Sequence, residues 1–187
     1  MAKYQYGLDL DFLDSIEERV SVDSLLSGYL EKVKGEDSSN KDEDVKKYFS
    51  TKGKTLAEII CDEEKNHRDR MAEVVYEVAK KTGHIFPSIP QRLLEISFYA
   101  LRPDDDWIYK EVSSNAIEYE VRDCELFNKL KEKAGDEEAK KMPCWNFCRT
   151  VSDIIYDKTG VRVKVSMKKS LANDNRCVIR AECYSEV

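Results

Sequence analysis

Hydrophobic residues recur at helical spacing between Val22 and Val33, which predicts an amphipathic helix. Ser21 precedes this stretch as a suitable N-cap, and Gly35 follows it as a stop signal. A short amphipathic helix needs another surface to cover its apolar stripe. We therefore expect the stripe to mediate association, either in a homodimer or as a subunit of a larger complex.

A second helical pattern begins at Thr55, where the sequence TLAE forms a capping box, and runs to about Thr82. The segment before it, residues 36–47, is charged and polar, which is typical of a solvated linker. The sequence therefore divides into a helical extension with its charged linker over residues 1–50 and a ligand-binding domain over residues 51–187.

Three later stretches alternate between apolar and polar residues, as strands with one wet face do. They cover residues 115–124, 161–167 and 177–183. The turn sequence at residues 172–175 favours an antiparallel hairpin between the last two. Helical patterns lie between the strands, so the sequence predicts an α+β fold: a small antiparallel sheet of about three strands, packed by helices and preceded by a helical N-terminal part.

Composition narrows the class of protein. The chain has 187 residues, 41% hydrophobic and 36% charged, with a net charge of −6. It has no apolar run of the ~20 residues that a membrane span needs, and its start lacks a signal-peptide core. We expect a cytoplasmic protein that does not bind membranes, and the acidic balance argues against nucleic acid. Its six cysteines are then expected to be free thiols, metal ligands or redox centres.

The stretch MPCWNFC suggests a chemical site. Pro143 suits the first turn of a helix, which places Cys144 at the positive end of the helix dipole. A thiolate there is stabilised, so Cys144 is a candidate nucleophile. His67, one helical turn from Glu63, is a candidate partner for proton transfer. If these roles are correct, the protein is a cysteine-dependent enzyme.

Two other interpretations of these cysteines remain, a metal site and simple packing. Cys124, Cys144, Cys148 and Cys177 could form a tetrahedral set for zinc or another thiolate-bound metal. They could equally be small buried residues that only pack, since buried free cysteine is common.

Aromatic residues suggest a pocket. Trp107, Tyr109, Tyr119 and Trp145 are candidates to line an apolar ligand site between helices and sheet. The acidic run at residues 104–106, just before Trp107, is expected to be an exposed turn.

Three segments carry a resemblance to known proteins: residues 117–124 (IEYEVRDC), 142–144 (MPC) and 175–179 (NRCVI). In this order the chain resembles the L-2-amino-thiazoline-4-carboxylic acid hydrolase-like family over about residues 70–184. It is similar, more distantly, to 4-vinyl-reductase-type domains. The resemblance implies a small-molecule-binding, sensory or ligand-carrying domain with a cysteine-lined pocket. The alternatives are a cysteine-dependent hydrolase of a small heterocycle or amide, and an accessory subunit that docks on a larger enzyme complex.

Overall fold

The N-terminal part of the chain is helical. The computed structural model describes residues 11–34, 40–66, 93–94, 96–97, 100–113 and 115–184. Its first three helices are α1 (Asp11–Arg19), α2 (Val22–Lys34) and α3 (Lys41–Asn66). Helix α3 runs across residue 50, where the sequence analysis places a domain boundary; that division stays a prediction.

The predicted linker over residues 36–47 is wrong in its second half, because α3 already begins at Lys41. Asp42, Glu43 and Asp44 lie in the first turn of this helix. Acidic side chains there stabilise the positive end of the helix dipole, so a charged segment that resembles a linker can start a helix. Thr55 accordingly lies inside α3, where its hydroxyl donates a hydrogen bond to the Thr51 carbonyl (3.1 Å).

The apolar stripe of α2 is buried within the chain itself. Val22, Leu25, Leu26 and Tyr29 are each 3% exposed or less and belong to the main hydrophobic core. The predicted helix is confirmed, but its stripe is not free for a partner. An oligomeric state stays a prediction that would need another surface.

Four strands form one antiparallel sheet in the order β1-β2-β4-β3. They are β1 (Asp106–Val112), β2 (Ala116–Asp123), β3 (Val163–Lys169) and β4 (Cys177–Cys183). The three predicted strands and the hairpin between β3 and β4 are confirmed. Strand β1 at the sheet edge was missed. Trp107 and Tyr109 alternate there with Ile108 and Lys110, so a short strand pattern was present.

After β2, four helices of the described part of the chain connect and cover the sheet. They are α4 (Glu125–Ala134), α5 (Asp136–Lys141), α6 (Trp145–Lys158) and the single turn α7 (Leu171–Asp174). Together with the sheet they confirm the predicted α+β class. Helix α6 lies at the centre, since it packs against both α3 and β3.

Close approach between α3 and α6 depends on a glycine. A Cβ atom at Gly53 would lie 2.6 Å from the backbone carbonyl oxygen of Phe147. Only glycine lets the two backbones come this near, although glycine in a helix interior costs about 1 kcal/mol relative to alanine. Phe147 is fully buried beside this contact.

Across the helices that the structure describes, none is long and apolar enough to cross a membrane.

Candidate functional site

A buried ion pair lies at the centre of the predicted cysteine site. Arg102 is 3% exposed and Asp105 is 4% exposed. The Arg102 Nε atom lies 3.2 Å from Asp105 Oδ2, and Arg102 Nη1 donates a hydrogen bond to Cys124 Sγ at 3.3 Å. Asp105 Oδ1 accepts a hydrogen bond from the backbone N–H of Glu125 (2.8 Å), which satisfies a free donor at the start of α4.

The sequence did not reveal this pair. Residues 104–106 were predicted to be an exposed acidic turn; Asp104 and Asp106 are exposed, but Asp105 is buried, so the prediction is wrong for Asp105. The available signal was Arg102, a charged residue that directly follows a mostly apolar stretch. Burial raises the pKa of Asp105 to about 6, although Arg102 acts in the opposite direction.

The four predicted cysteines come together around Arg102, and we call these five residues the thiol cluster. Cys124 is the N-cap of α4, and Cys144 is the N-cap of α6, as the sequence analysis placed it. Cys148 follows one helical turn later, and Cys177 begins β4. The Arg102 guanidinium is also near enough to Cys148 to lower the pKa of its thiol.

Burial governs the chemistry of these thiols. It raises the pKa of Cys124 to about 12 and that of Cys177 to about 11, and it also raises the pKa of Cys148. The positive charge of Arg102 lowers each pKa but does not overcome burial. These thiols are therefore protonated at neutral pH.

Cys144 shows the same balance. Burial raises its pKa well above the ordinary value, followed by the effects of Cys148, Cys124 and Cys177. The start of α6 was expected to stabilise a thiolate, but loss of water outweighs the helix dipole at this position. The role of Cys144 as a nucleophile stays a prediction that this pKa does not favour. Its proposed partner, His67, lies outside the described residues.

The predicted zinc or other thiolate-bound metal is wrong. Among the residues that the structure describes, no group of three or more His, Cys, Asp or Glu side chains could hold a metal ion. The physical reason is the Arg102 guanidinium, which places a positive charge among the thiols.

The predicted aromatic residues lie around the sheet. Tyr119 is buried on the inner side of β2, and burial raises the pKa of its hydroxyl group. The Trp107 and Tyr109 rings meet edge to face on β1, with centroids 5.4 Å apart. Trp145 is half-buried at the start of α6. All four contribute to the core or pack against it, and their role in ligand binding stays a prediction.

A cavity of about 590 Å³ opens between α2, α3 and α5, and we call it the helical cavity. Its apolar lining consists of Tyr29, Val33, Val45 and Pro143. Its charged lining consists of Lys41, Asp42, Lys46, Glu138 and Lys141. The sequence gives no sign of this cavity, because its side chains come from three helices that are far apart in the chain.

The helical cavity lies next to the thiol cluster. Pro143, in its wall, directly precedes Cys144. The Tyr29 hydroxyl donates a hydrogen bond to Glu138 Oε1 at 3.2 Å. Burial raises the pKa of Tyr29, and the neighbouring Glu138 and Cys144 add to the effect. A ligand in the cavity would therefore contact side chains that adjoin the buried thiols.

Comparison with known proteins corrects the resemblance. No protein-family model matches the chain, and no curated protein matches it. Solved structures that are similar over most of the chain are H-NOX proteins instead. The assignment to the L-2-amino-thiazoline-4-carboxylic acid hydrolase-like family or to 4-vinyl-reductase-type domains is therefore wrong.

Three of these structures illustrate the likeness. The Fe(II) unliganded H-NOX protein from K. algicida is 10% identical, with 94% of each chain covered and a TM-score of 0.43. An oxygen-binding H-NOX domain related to soluble guanylate cyclases is 10% identical, covering 93% of this chain and 92% of that one, with a TM-score of 0.32. A mutant of T. tengcongensis H-NOX is 12% identical, covering 94% and 95%, with a TM-score of 0.32. At these TM-scores the likeness assigns neither a family nor a ligand to this chain.

Proposed function

We propose that the chain is a small-molecule-binding domain and that its ligand occupies the helical cavity. The observation that carries the proposal is the composition of the wall, in which apolar side chains lie beside three lysines. Ligand sites commonly combine an apolar lining with a few polar groups that orient the ligand. Its volume of about 590 Å³ lies in the range of small-molecule pockets.

The charges of the cavity indicate the chemistry of the ligand. Lys46 pairs with Glu43 (2.9 Å) and Lys141 with Glu138 (3.6 Å). Lys41 has no salt-bridge partner among the described residues, so its ammonium group is available to an anion. The ligand that fits is an amphipathic molecule with an apolar body and one negatively charged group.

A sensory or carrier role agrees better with the protonated thiols than cysteine-dependent catalysis does.

A fluorescence titration with anilinonaphthalene sulfonate tests the proposal, since this probe combines apolar rings with one sulfonate. We expect saturable binding to the native chain. Val33→Trp or Val45→Trp should weaken it by about tenfold, because an indole would fill the apolar part of the cavity. Val112→Trp adds the same side chain at an exposed position of β1 and serves as the matched control.

Thermal melts of each variant show whether it remains folded. Equal probe binding by the folded Val33→Trp variant and the Val112→Trp control would place the ligand site elsewhere and refute the proposal.

A further inference from the structure

The solvent-facing side of the sheet carries a second cavity, of about 510 Å³, which we call the sheet hollow. It is a shallow depression to which all four strands or their ends contribute. The described residues that line it are Lys110, Glu118, Glu120, Arg122, Lys168, Lys169, Arg176 and Val178. None of these residues belongs to the thiol cluster or to the helical cavity.

Two strand irregularities place lysines at this hollow. The register of β1 against β2 shifts between Tyr109 and Glu111, which leaves Lys110 as an extra residue. The register of β3 against β4 shifts between Met167 and Lys169, which leaves Lys168 extra. Bulges redirect side chains and are common beside functional sites. Here the bulges lie on the two outer strands, and both extra residues are lysines that line the hollow.

The hollow is positive in an otherwise acidic chain. Among the described residues that line it, five are cationic and two are anionic, which leaves three excess positive charges, whereas the whole chain carries −6. Glu120 engages three of the cations: its carboxylate lies 2.9 Å from Arg122 Nε, 3.9 Å from Arg176 Nε and 4.0 Å from Lys110 Nζ. Together these cations lower the pKa of Glu120.

The other two cations are not neutralised. Lys168 and Lys169 have no salt-bridge partner within the part of the chain that the structure describes. Glu118, the second carboxylate of the hollow, instead pairs with Arg180 at 3.3 Å. The excess positive charge is therefore concentrated on the β3 side of the hollow, next to Arg176.

Arg176 independently indicates that the hollow accommodates a hydrogen-bond acceptor from a ligand. Its Nε atom is buried and makes no hydrogen bond to any described residue. The 3.9 Å separation from Glu120 is too long for one. A buried donor left without a hydrogen bond is unfavourable. An anionic oxygen between Arg176, Lys168 and Lys169 would satisfy this donor and balance both lysines.

We propose that the sheet hollow binds a small phosphate-bearing molecule with at least two closely spaced negative charges. Guanidinium groups donate planar pairs of hydrogen bonds to phosphate oxygens, and lysines add point charges. The hollow has little apolar lining, so charge rather than enclosure supplies the affinity. Away from the hollow, the same face carries Glu111 and Glu182, which disfavours a long nucleic acid.

Isothermal titration calorimetry of the full chain with inorganic pyrophosphate tests this site. We expect saturable binding that weakens by about tenfold in the double variant Lys168→Gln/Lys169→Gln, since each lysine is a direct charge partner. Lys164→Gln removes a lysine from the same strand at a position that does not line the hollow, and it should change the affinity by about twofold at most. Glu120→Gln should tighten binding, because it removes a competing carboxylate.

Three outcomes would overturn the proposal. The first is no saturable binding of pyrophosphate by the folded native chain. The second is a loss in Lys164→Gln as large as that in the double variant, which would mean only diffuse attraction. The third is preferred binding of another class of anion: citrate, which would assign the hollow to carboxylates, or an oligonucleotide, which would assign it to nucleic acid.

Discussion

Arg102 and Asp105 should contribute strongly to stability as a pair. Removing one member of a buried ion pair leaves the other charge without a partner, which costs about 3–5 kcal/mol. We therefore expect Arg102→Met to lower the free energy of unfolding by about that amount in urea denaturation. Arg149→Met is the matched control, because Arg149 pairs with Asp153 at 3.3 Å on the exposed face of α6.

An exposed pair of that kind is worth about 1 kcal/mol or less. Equal losses of stability in Arg102→Met and Arg149→Met would show that the buried pair has no special role.

The four clustered cysteines should resist alkylation in the native protein. Their raised pKa values keep them as thiols at neutral pH, and the thiolate is the reactive form. Cys183 is exposed, so iodoacetamide should label it first. Peptide mass spectrometry after timed labelling, with and without urea, measures the order.

Rapid labelling of Cys144 at neutral pH, ahead of Cys183, would contradict this expectation and support its role as a nucleophile. Cys144→Ser would then be expected to abolish hydrolysis without unfolding the chain.

At the scale of whole elements, the contact between α3 and α6 depends on Gly53. Alanine normally stabilises a helix relative to glycine by about 1 kcal/mol. Gly53→Ala should instead destabilise the chain by about 1–3 kcal/mol, because the added methyl group would overlap the Phe147 carbonyl. The midpoint of urea unfolding measures the effect, and its sign is diagnostic.

Lys54→Ala, at the next position of α3, is the control. Lys54 is exposed and pairs only weakly with Glu58 at 3.8 Å, so its loss should be close to neutral. A stabilised Gly53→Ala variant would show that the two helices can separate without cost.

The elements that were predicted correctly from the sequence are those whose apolar residues repeat at either the strand or the helix spacing throughout. Strands β2, β3 and β4 alternate cleanly, and α6 follows a helical pattern between Pro143 and Gly160. The start of α3 was missed because its first turn is entirely polar. Strand β1 was missed because it is an edge strand, with half-buried aromatic residues on one face and an acidic run before it.

The candidate sites were predicted less well, for a physical reason. The gathering of four cysteines was anticipated, but the sequence could not show that Arg102 lies among them. That arginine brings a positive charge among the thiols, which disfavours a bound metal cation there. The helical cavity and the sheet hollow depend on side chains that only tertiary packing brings together.

On the scale of the whole molecule, the N-terminal helices belong to the same core as the sheet. Ile16 and Val20 of the α1 region and the α2 stripe are all buried in it. An isolated domain over residues 51–187 would therefore expose apolar side chains that the chain now covers. The apolar stripe of α2 is thus already covered within the chain, so its amphipathic sequence does not indicate docking to a partner.

The thiol cluster adjoins both candidate binding sites along the chain. Cys144 directly follows Pro143 of the helical cavity, and Cys177 directly follows Arg176 of the sheet hollow. Arg176 lies immediately before β4, and Cys177 is the first residue of that strand. If the two sites communicate through this cluster, the effect must be reciprocal: whatever factor one ligand imposes on the affinity for the other, the second imposes on the first.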